Sequence, residues 1–535
     1  MAGGFEVPED APDEVKQRSR RPPRAPQTDP TLGIVVDPRP DGTPPRHPLV
    51  VIGDSLTHGF QSGAIYNTDL SYGAIVAYEL GCLDRFQFPR YPGLGGLPLN
   101  IEFLLRDLEE RYGNEIEWLE FATAPFHIRN LMNDIEEYWE RGPGAVVPNI
   151  ATFNHALAVF GWDLRDALDK TFTKCEGSAN AATNNFLIPM VDNAADRAAM
   201  RVYPSGTGEA KGKTLFDVAR EMGEPAGPAA DDPKDIETLV VFLGANNALG
   251  SVVKLRLKWS EDPGYQDPSV KSAYTVWQPA HFRSEYDLIV AELDRIDARN
   301  VILCTVPHVT IPPVARGIGG KVGVGSRYFK YYTRPWIEEE DFDPNHDENL
   351  TAEQARAVDY AIDMYNEYIQ GVVADKRGAG KNWFLFDVAG ILDRLAFRRY
   401  IDDPSAQPIW WTPYPLPREL TDLQPTPDTR FLTADGKGGR ATGGLFSLDG
   451  IHPTTVGYGI IAQELIRIME RVGVQFNSPN GTPRVGRISV DFDRLIRRDT
   501  LINTPPQNIN DSLGIIGWLD QTVDVFTQVI RGGAF

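Results

Sequence analysis

Cysteine is scarce in this sequence. Its 535 residues hold three, Cys82, Cys175 and Cys304, too far apart for a CxxC metal pair or a dense disulfide framework. They read as ordinary core thiols. Long apolar runs are also missing: none approaches the roughly 18 residues a membrane helix needs. The first thirty residues are polar and proline-rich where a signal peptide has an apolar centre. The expectation is a chain with no integral membrane segment, cytoplasmic by default. Positive charge is the third shortage. Fifty-three Lys and Arg against 74 Asp and Glu give a formal net charge of −21, a field that repels polyanions and disfavours a nucleic-acid partner. No fixed-period repeat is visible, which argues against a solenoid, and nothing in the sequence sets an oligomeric state.

What is present is a recurring pattern of buried strand and amphipathic helix. Leu49-Val-Val-Ile52 is a short continuous apolar run stopped by Gly53-Asp54-Ser55, as in a strand buried on both faces of a parallel sheet. Similar runs recur at Leu157–Phe160, Leu239–Leu243, Val301–Val306 and Trp383–Val388. Helical spacing follows several of them. Ser284 opens one pattern with Leu288, Ile289, Leu293 and Ile296. Thr351-Ala-Glu-Gln354 forms a capping box ahead of Ala355, Val358, Ile362, Tyr365 and Ile369, and a third helix spans Tyr458 to Val472. The alternation predicts an α/β fold, a mainly parallel doubly wound sheet with helices on both faces.

Residues 1–48, with 11 of the 42 prolines and a basic cluster from Lys16 to Arg24, read as a disordered, flexible arm. The catalytic chemistry is expected within 49–475, enlarged by insertions near 86–148, 176–235 and 402–428. Residues 476–535 form a C-terminal extension whose last helix, near 516–530, has Leu519, Val523, Phe526 and Ile530 on one stripe. The insertion at 402–428 carries Trp410, Trp411 and Tyr414, a candidate wall beside a ligand or a patch packed on the domain surface.

The sharpest local signal is Gly53-Asp54-Ser55-Leu56 directly after a buried strand. Such a turn holds a serine hydroxyl at the carboxyl edge of the sheet, where open α/β folds bind ligands, although a serine there also serves as a helix N-cap. Thr57 stands where a G-x-S-x-G elbow has its second glycine, so an ordinary α/β-hydrolase fits poorly. A serine nucleophile needs a base. His452, in Ser447-Leu-Asp449-Gly-Ile-His452-Pro453, has an aspartate three residues ahead that can accept one imidazole N–H and leave the other nitrogen for the serine proton. His58, in the same turn as Ser55, is a candidate to face substrate. Donors for an oxyanion are offered by Asn246, after the strand run and Gly244, and by a backbone N–H at Gly161, although an Asx turn is the better explanation of an asparagine motif standing alone.

Gly-Asp-Ser-Leu near the start, a glycine after a second strand, Gly-x-Asn after a third and Asp-x-x-His-Pro near the end together resemble the SGNH/GDSL hydrolase superfamily. The resemblance implies Ser55 as nucleophile, Gly161 and Asn246 joining the Ser55 amide in an oxyanion hole, His452 as general base and Asp449 as its orienting carboxylate. It also implies a three-layer α/β/α, flavodoxin-like sandwich, and hydrolysis of a small-molecule or lipid acyl ester with no metal and no cofactor. A carbohydrate O-acetyl esterase of the same superfamily and a non-catalytic binding or scaffold protein on the same fold are the alternatives. Asn247 departs from the aspartate frequent at that place, and 397 residues separate Ser55 from His452, more than in compact members.

Two other motifs fall away. Gly208-Glu-Ala-Lys-Gly212-Lys213-Thr214 has three residues between its glycines where a phosphate loop needs four. The acidic run Glu338–Asp341 with Asp343, Asp347 and Glu348 lacks the spacing and glycine of a calcium loop.

Overall fold

The computed structural model describes residues 7–36, 45–114, 124–150, 153–180, 190–205, 208–224 and 236–509. The five apolar runs become five parallel strands: β1 (Val50–Gly53), β2 (Ala156–Ala158), β3 (Ile236–Phe242), β4 (Ala298–Cys304) and β5 (Trp383–Phe386). They form one sheet in the order β5-β4-β3-β1-β2. A strand covered on both faces needs no polar alternation, and β1 is accordingly buried along its whole length. The helices named below are α1 (Asp13–Arg18), α2 (Ser55–His58), α3 (Tyr72–Glu79), α4 (Asn246–Val253), α5 (Pro279–Leu293), α6 (Ala352–Gly378), α7 (Val388–Leu395) and α8 (Thr455–Arg471). The molecule is therefore mixed α/β around a parallel sheet, as the alternation predicts. Among the described residues, Cys82, Cys175 and Cys304 are buried and form no disulfide, and no helix is long and apolar enough to cross a membrane.

Two compact units interleave along the chain. One comprises Met1–His47, Asp163–Leu168 and Gly223–Pro415; the other comprises Pro48–Trp162, Asp169–Met222 and Leu416–Phe535. The chain passes between them five times, so no composition boundary in the sequence marks the division.

In the first unit, α6 begins with the capping box read from the sequence. Thr351 Oγ1 accepts the Gln354 N–H, and Gln354 returns its side-chain oxygen to the Thr351 N–H at 2.9 Å. Its Ala355, Val358, Ile362, Tyr365 and Ile369 face is buried. Helix α5 starts five residues before the expected Ser284, because Pro279 fits the first helical position, where no N–H is needed. Ile289 and Leu293 lie inward, while Leu288, expected on the same stripe, is exposed. An antiparallel meander, Arg316–Lys321, Phe329–Thr333 and Leu350–Thr351, was not legible in the sequence. Its first strand is glycine-rich and bulged between Ile318 and Lys321, so it lacks the apolar alternation that announces a strand.

The N-terminal arm departs from the expected disorder. Residues 7–36 are ordered on the first unit: Arg18 meets Asp363 at 3.1 Å and Glu367 at 2.8 Å, Arg24 meets Asp387 at 2.9 Å, and Pro30 accepts the Leu385 N–H of β5. Buried charge partners supply what the arm's low apolar content cannot. The expected terminal helix near 516–530 lies outside the described residues.

In the second unit, β1 pairs with β2, and a hairpin of Phe60–Gln61 and Ala64–Ile65 extends through Leu97–Pro98. Helix α8 packs on α3 and on the helix Phe492–Arg498 of the C-terminal extension. Gly459 permits the second contact, since a Cβ there would come within 2.5 Å of Leu495. The insertion near 86–148 contributes the helices Ile101–Tyr112 and Ala124–Glu140, and that near 176–235 contributes Ala194–Val202 and Leu215–Gly223.

Candidate active site

Strand β1 ends at Gly53, and the next two residues divide the work of the turn. Asp54, not Ser55, is the N-cap of α2: its Oδ1 accepts the Leu56 N–H at 3.1 Å. Ser55 is thereby released from the capping role that the sequence left open to it. Its Oγ instead lies 2.8 Å from His452 Nε2, and His452 Nδ1 lies 3.0 Å from Asp449 Oδ2. Ser55 is 6 % exposed, while His452 and Asp449 are closed off from solvent. The three side chains named from the sequence thus form one continuous relay within the second unit.

Asp449 is held by four donors. Oδ1 accepts the N–H groups of Ile451 at 2.9 Å and His452 at 2.8 Å; Oδ2 accepts His452 Nδ1–H and the Gly63 N–H at 2.9 Å. Burial alone pushes this carboxyl up, but the neighbouring imidazole and these N–H groups together hold it below the usual carboxylate range. An ionised Asp449 fixes the proton on Nδ1 and leaves Nε2 as the acceptor facing the Ser55 hydroxyl. Asp54 behaves in the opposite way. Its carboxyl is pushed up to about 7 by burial, against the Leu56 N–H and the nearby imidazole, and its Oδ2 has no hydrogen-bond partner among the described residues.

Two backbone donors that follow β1 and β2 remain unspent. Among the described residues, neither the Ser55 N–H nor the Gly161 N–H has a protein acceptor. Gly161 follows β2 in a left-handed conformation, φ +75°, which a side chain would resist. Asn246 opens α4 behind Gly244 and is not its N-cap, a place taken by Ala245. It belongs to the first unit, whereas the relay and Gly161 belong to the second.

His58 is not available to a substrate. It is buried, its Nδ1 accepts the Phe160 N–H at 3.3 Å, and its Nε2 lies 2.8 Å from the Tyr91 hydroxyl, which donates to the Ala198 carbonyl. Burial pushes the imidazole down to about 3, so it stays neutral and acts as a strut between α2 and the end of β2. The aromatics of 402–428 likewise serve packing in the first unit. Trp411 donates to the Asp393 carbonyl at 3.1 Å, Trp410 and Trp411 both lean on Tyr400, and Tyr414 is buried with Arg394 over its ring. This is the surface-packing alternative that the sequence allowed.

The two discarded motifs also have structural uses. Thr214 caps the helix Leu215–Gly223 by accepting the Asp217 N–H, and Lys211 pairs with Glu176. Asp343 organises its own turn through Asn345 and His346. Sequence reasoning missed Phe60, Ser62, Gly63 and Ser447, whose contacts with the Asp449–His452 loop join positions about 390 apart along the chain. Only the unusual density of glycine at Gly59 and Gly63 hinted at a tight structure there. The chain matches no protein-family model, no curated protein and no solved structure.

Proposed function

We propose that the protein is a serine ester hydrolase of the SGNH/GDSL type that works through an acyl-enzyme and without a metal. The observation carrying this reading is the Ser55–His452–Asp449 relay, at 2.8 and 3.0 Å, with Ser55 freed from capping by Asp54. The strand order β5-β4-β3-β1-β2 agrees with it, being the 2-1-3-4-5 order of flavodoxin-like sheets.

The reaction follows from the donor and acceptor states. His452 Nε2 takes the Ser55 hydroxyl proton as Oγ attacks the ester carbonyl carbon, and Asp449 stabilises the imidazolium that forms. The N–H groups of Ser55 and Gly161 receive the developing oxyanion. Asn246, the third donor implied by the resemblance, enters the reading from its sequence motif. The tetrahedral intermediate collapses, the alkoxide leaves with the proton from Nε2, and an acyl-Ser55 ester remains. Water, deprotonated by the same nitrogen, hydrolyses that ester and restores the serine.

The test is labelling with a serine-directed fluorophosphonate. Wild type is expected to react at Ser55 and Ser55→Ala to be inert. Equal reaction of the two would remove the hydrolase reading and leave a binding or scaffold protein. A panel of p-nitrophenyl esters from acetate to palmitate then sorts the substrate. Activity confined to acetate identifies the O-acetyl esterase, whereas activity rising with chain length identifies a lipase.

A further inference from the structure

The loop that carries Asp449 and His452 is a closed turn. Ser447 N–H donates to the His452 carbonyl at 2.8 Å, and Gly450 N–H donates to the Ser447 carbonyl at 2.9 Å. The two ends of the turn therefore move together. Ser447 is also where the turn is tied to the hairpin following α2. Its Oγ accepts the Ser62 N–H at 2.8 Å, and the Leu448 N–H returns to Ser62 Oγ at 3.4 Å. One residue further on, Gly63 N–H donates to Asp449 Oδ2, the same oxygen that holds His452 Nδ1. The Phe60 ring lies 4.6 Å from the imidazole, and Tyr458 of α8 donates to the Phe60 carbonyl at 2.7 Å.

Ser62 itself is costly to keep in this position. Its φ is +49°, a left-handed conformation that residues bearing a Cβ disfavour and that glycine would adopt more easily. Both hydroxyls are fully enclosed. A buried N–H or hydroxyl must find a partner, and here each serine supplies one for the other strand of chain.

We infer that Ser447 is a positioning residue, and that through Ser62 it clamps the Asp449–His452 turn to the Phe60–Ile65 hairpin and so sets where His452 Nε2 meets Ser55. This role is not assigned by the Gly-Asp-Ser or Asp-x-x-His motifs, and it rests on the hydrolase reading above. Ser55 sits on α2, immediately before the hairpin, while the histidine arrives from the other end of the chain. The clamp brings the base into register with its nucleophile directly, without relying on the intervening helices.

Two readouts test it, one of which needs no activity. Ser447→Ala removes the acceptor for the Ser62 N–H, whereas Ser447→Thr keeps a hydroxyl there. In ester hydrolysis, Ser447→Ala is expected to lower kcat about tenfold or more with KM held, the signature of lost alignment in place of lost binding, and Ser447→Thr to recover most of the rate. In proton NMR of the whole chain, the His452 Nδ1–H resonance, held by Asp449, is expected in wild type, broadened in Ser447→Ala and restored in Ser447→Thr. Ser62→Gly keeps the N–H donor and relieves the left-handed strain, so it should fall between wild type and Ser447→Ala in both readouts. A Ser447→Ala protein that loses thermal stability but keeps its kcat and its Nδ1–H resonance would overturn the clamp. A wild type inert to fluorophosphonate would instead overturn the hydrolase reading, and the resonance would still decide the clamp.

Discussion

Asp54 determines what Ser55 can do, because only one of the two residues can cap α2. A capping carboxylate is normally ionised, yet this one is enclosed and its pKa is pushed up to about 7. A raised pKa means that the folded state holds a proton the unfolded chain has already released. The favourable contribution is complete below the unfolded value near 4 and is lost as pH rises through 7. Asparagine caps a helix as well as aspartate does and cannot ionise. Asp54→Asn should therefore melt at a higher temperature than wild type, with a gap that widens from pH 4 to pH 7. A constant gap across that range would show that the carboxyl does not titrate there. Asp449 calls for the opposite experiment. Its four donors all require an acceptor, and Asp449→Asn would point an amide NH2 at two of them, since each carboxylate oxygen accepts a pair. Turnover should fall roughly 10³- to 10⁴-fold through the wrong histidine tautomer, with the fold retained by circular dichroism. An unchanged rate would mean that another residue orients His452. Ser55, Asp449 and His452 were legible because each lies in a short motif whose chemistry is local. Ser62 and Ser447 were not, because a lone serine has no signature until the chain brings its partner alongside.

At the scale of elements, the first unit is held by a charge network that no motif announces. Asp359 and Asp363 lie one turn apart on α6, and like charges at that spacing repel unless cations intervene. His308, beyond the end of β4, faces Asp363 with Nε2 at 3.1 Å and Asp393 of α7 with Nδ1 at 3.3 Å. Arg399 reaches Asp359 at 2.9 Å, and Tyr328 and Thr310 donate to it as well. Burial acts to lower the His308 pKa, but Asp393, Asp359 and the bond to Asp363 outweigh it and raise the imidazole to about 10. Asp359 is correspondingly drawn down to about 2: burial opposes this, and Arg399, His308 and Arg327 prevail. For His308 the favourable contribution is complete below its unfolded value near 6.5 and disappears as pH rises towards 10. Thermal stability should decline across that window, and His308→Gln should flatten the decline. An equally steep fall in His308→Gln would assign the pH dependence to other groups. The five strand runs and the capping box of α6 were readable from sequence because hydrophobic continuity and Thr-x-x-Gln spacing are local properties. This network was not, since its members come from residues 308, 359, 363, 393 and 399 and share no pattern.

For the whole molecule, the net charge of −21 says little about the fold, but its distribution has a structural consequence. Buried carboxylates need cations, and the N-terminal segment brings two. Arg18, 3 % exposed along its side chain, meets a completely enclosed Asp363, and Arg24 meets Asp387. Arg377 adds hydrogen bonds to the Ile34 carbonyl. Two members of the basic cluster, Arg18 and Arg24, are thus enclosed within the first unit, while Arg20 and Arg21 stay exposed. Its cost can be measured one residue at a time. Arg18→Met keeps much of the side-chain volume and removes the charge, leaving Asp363 with His308 but without its guanidinium. Unpairing a buried carboxylate costs about 3–5 kcal/mol, and the remaining imidazole argues for the lower end, about 3 kcal/mol. In urea the midpoint of unfolding should fall accordingly while the slope stays constant, since the surface exposed on unfolding is little altered. Arg20→Met serves as the control, because Arg20 lies on the exposed side of the same segment and has no ion pair among the described residues. If the two substitutions shift the midpoint equally, the Arg18–Asp363 pair is not what secures the segment, and its backbone contacts to β5 and Arg377 carry the attachment instead.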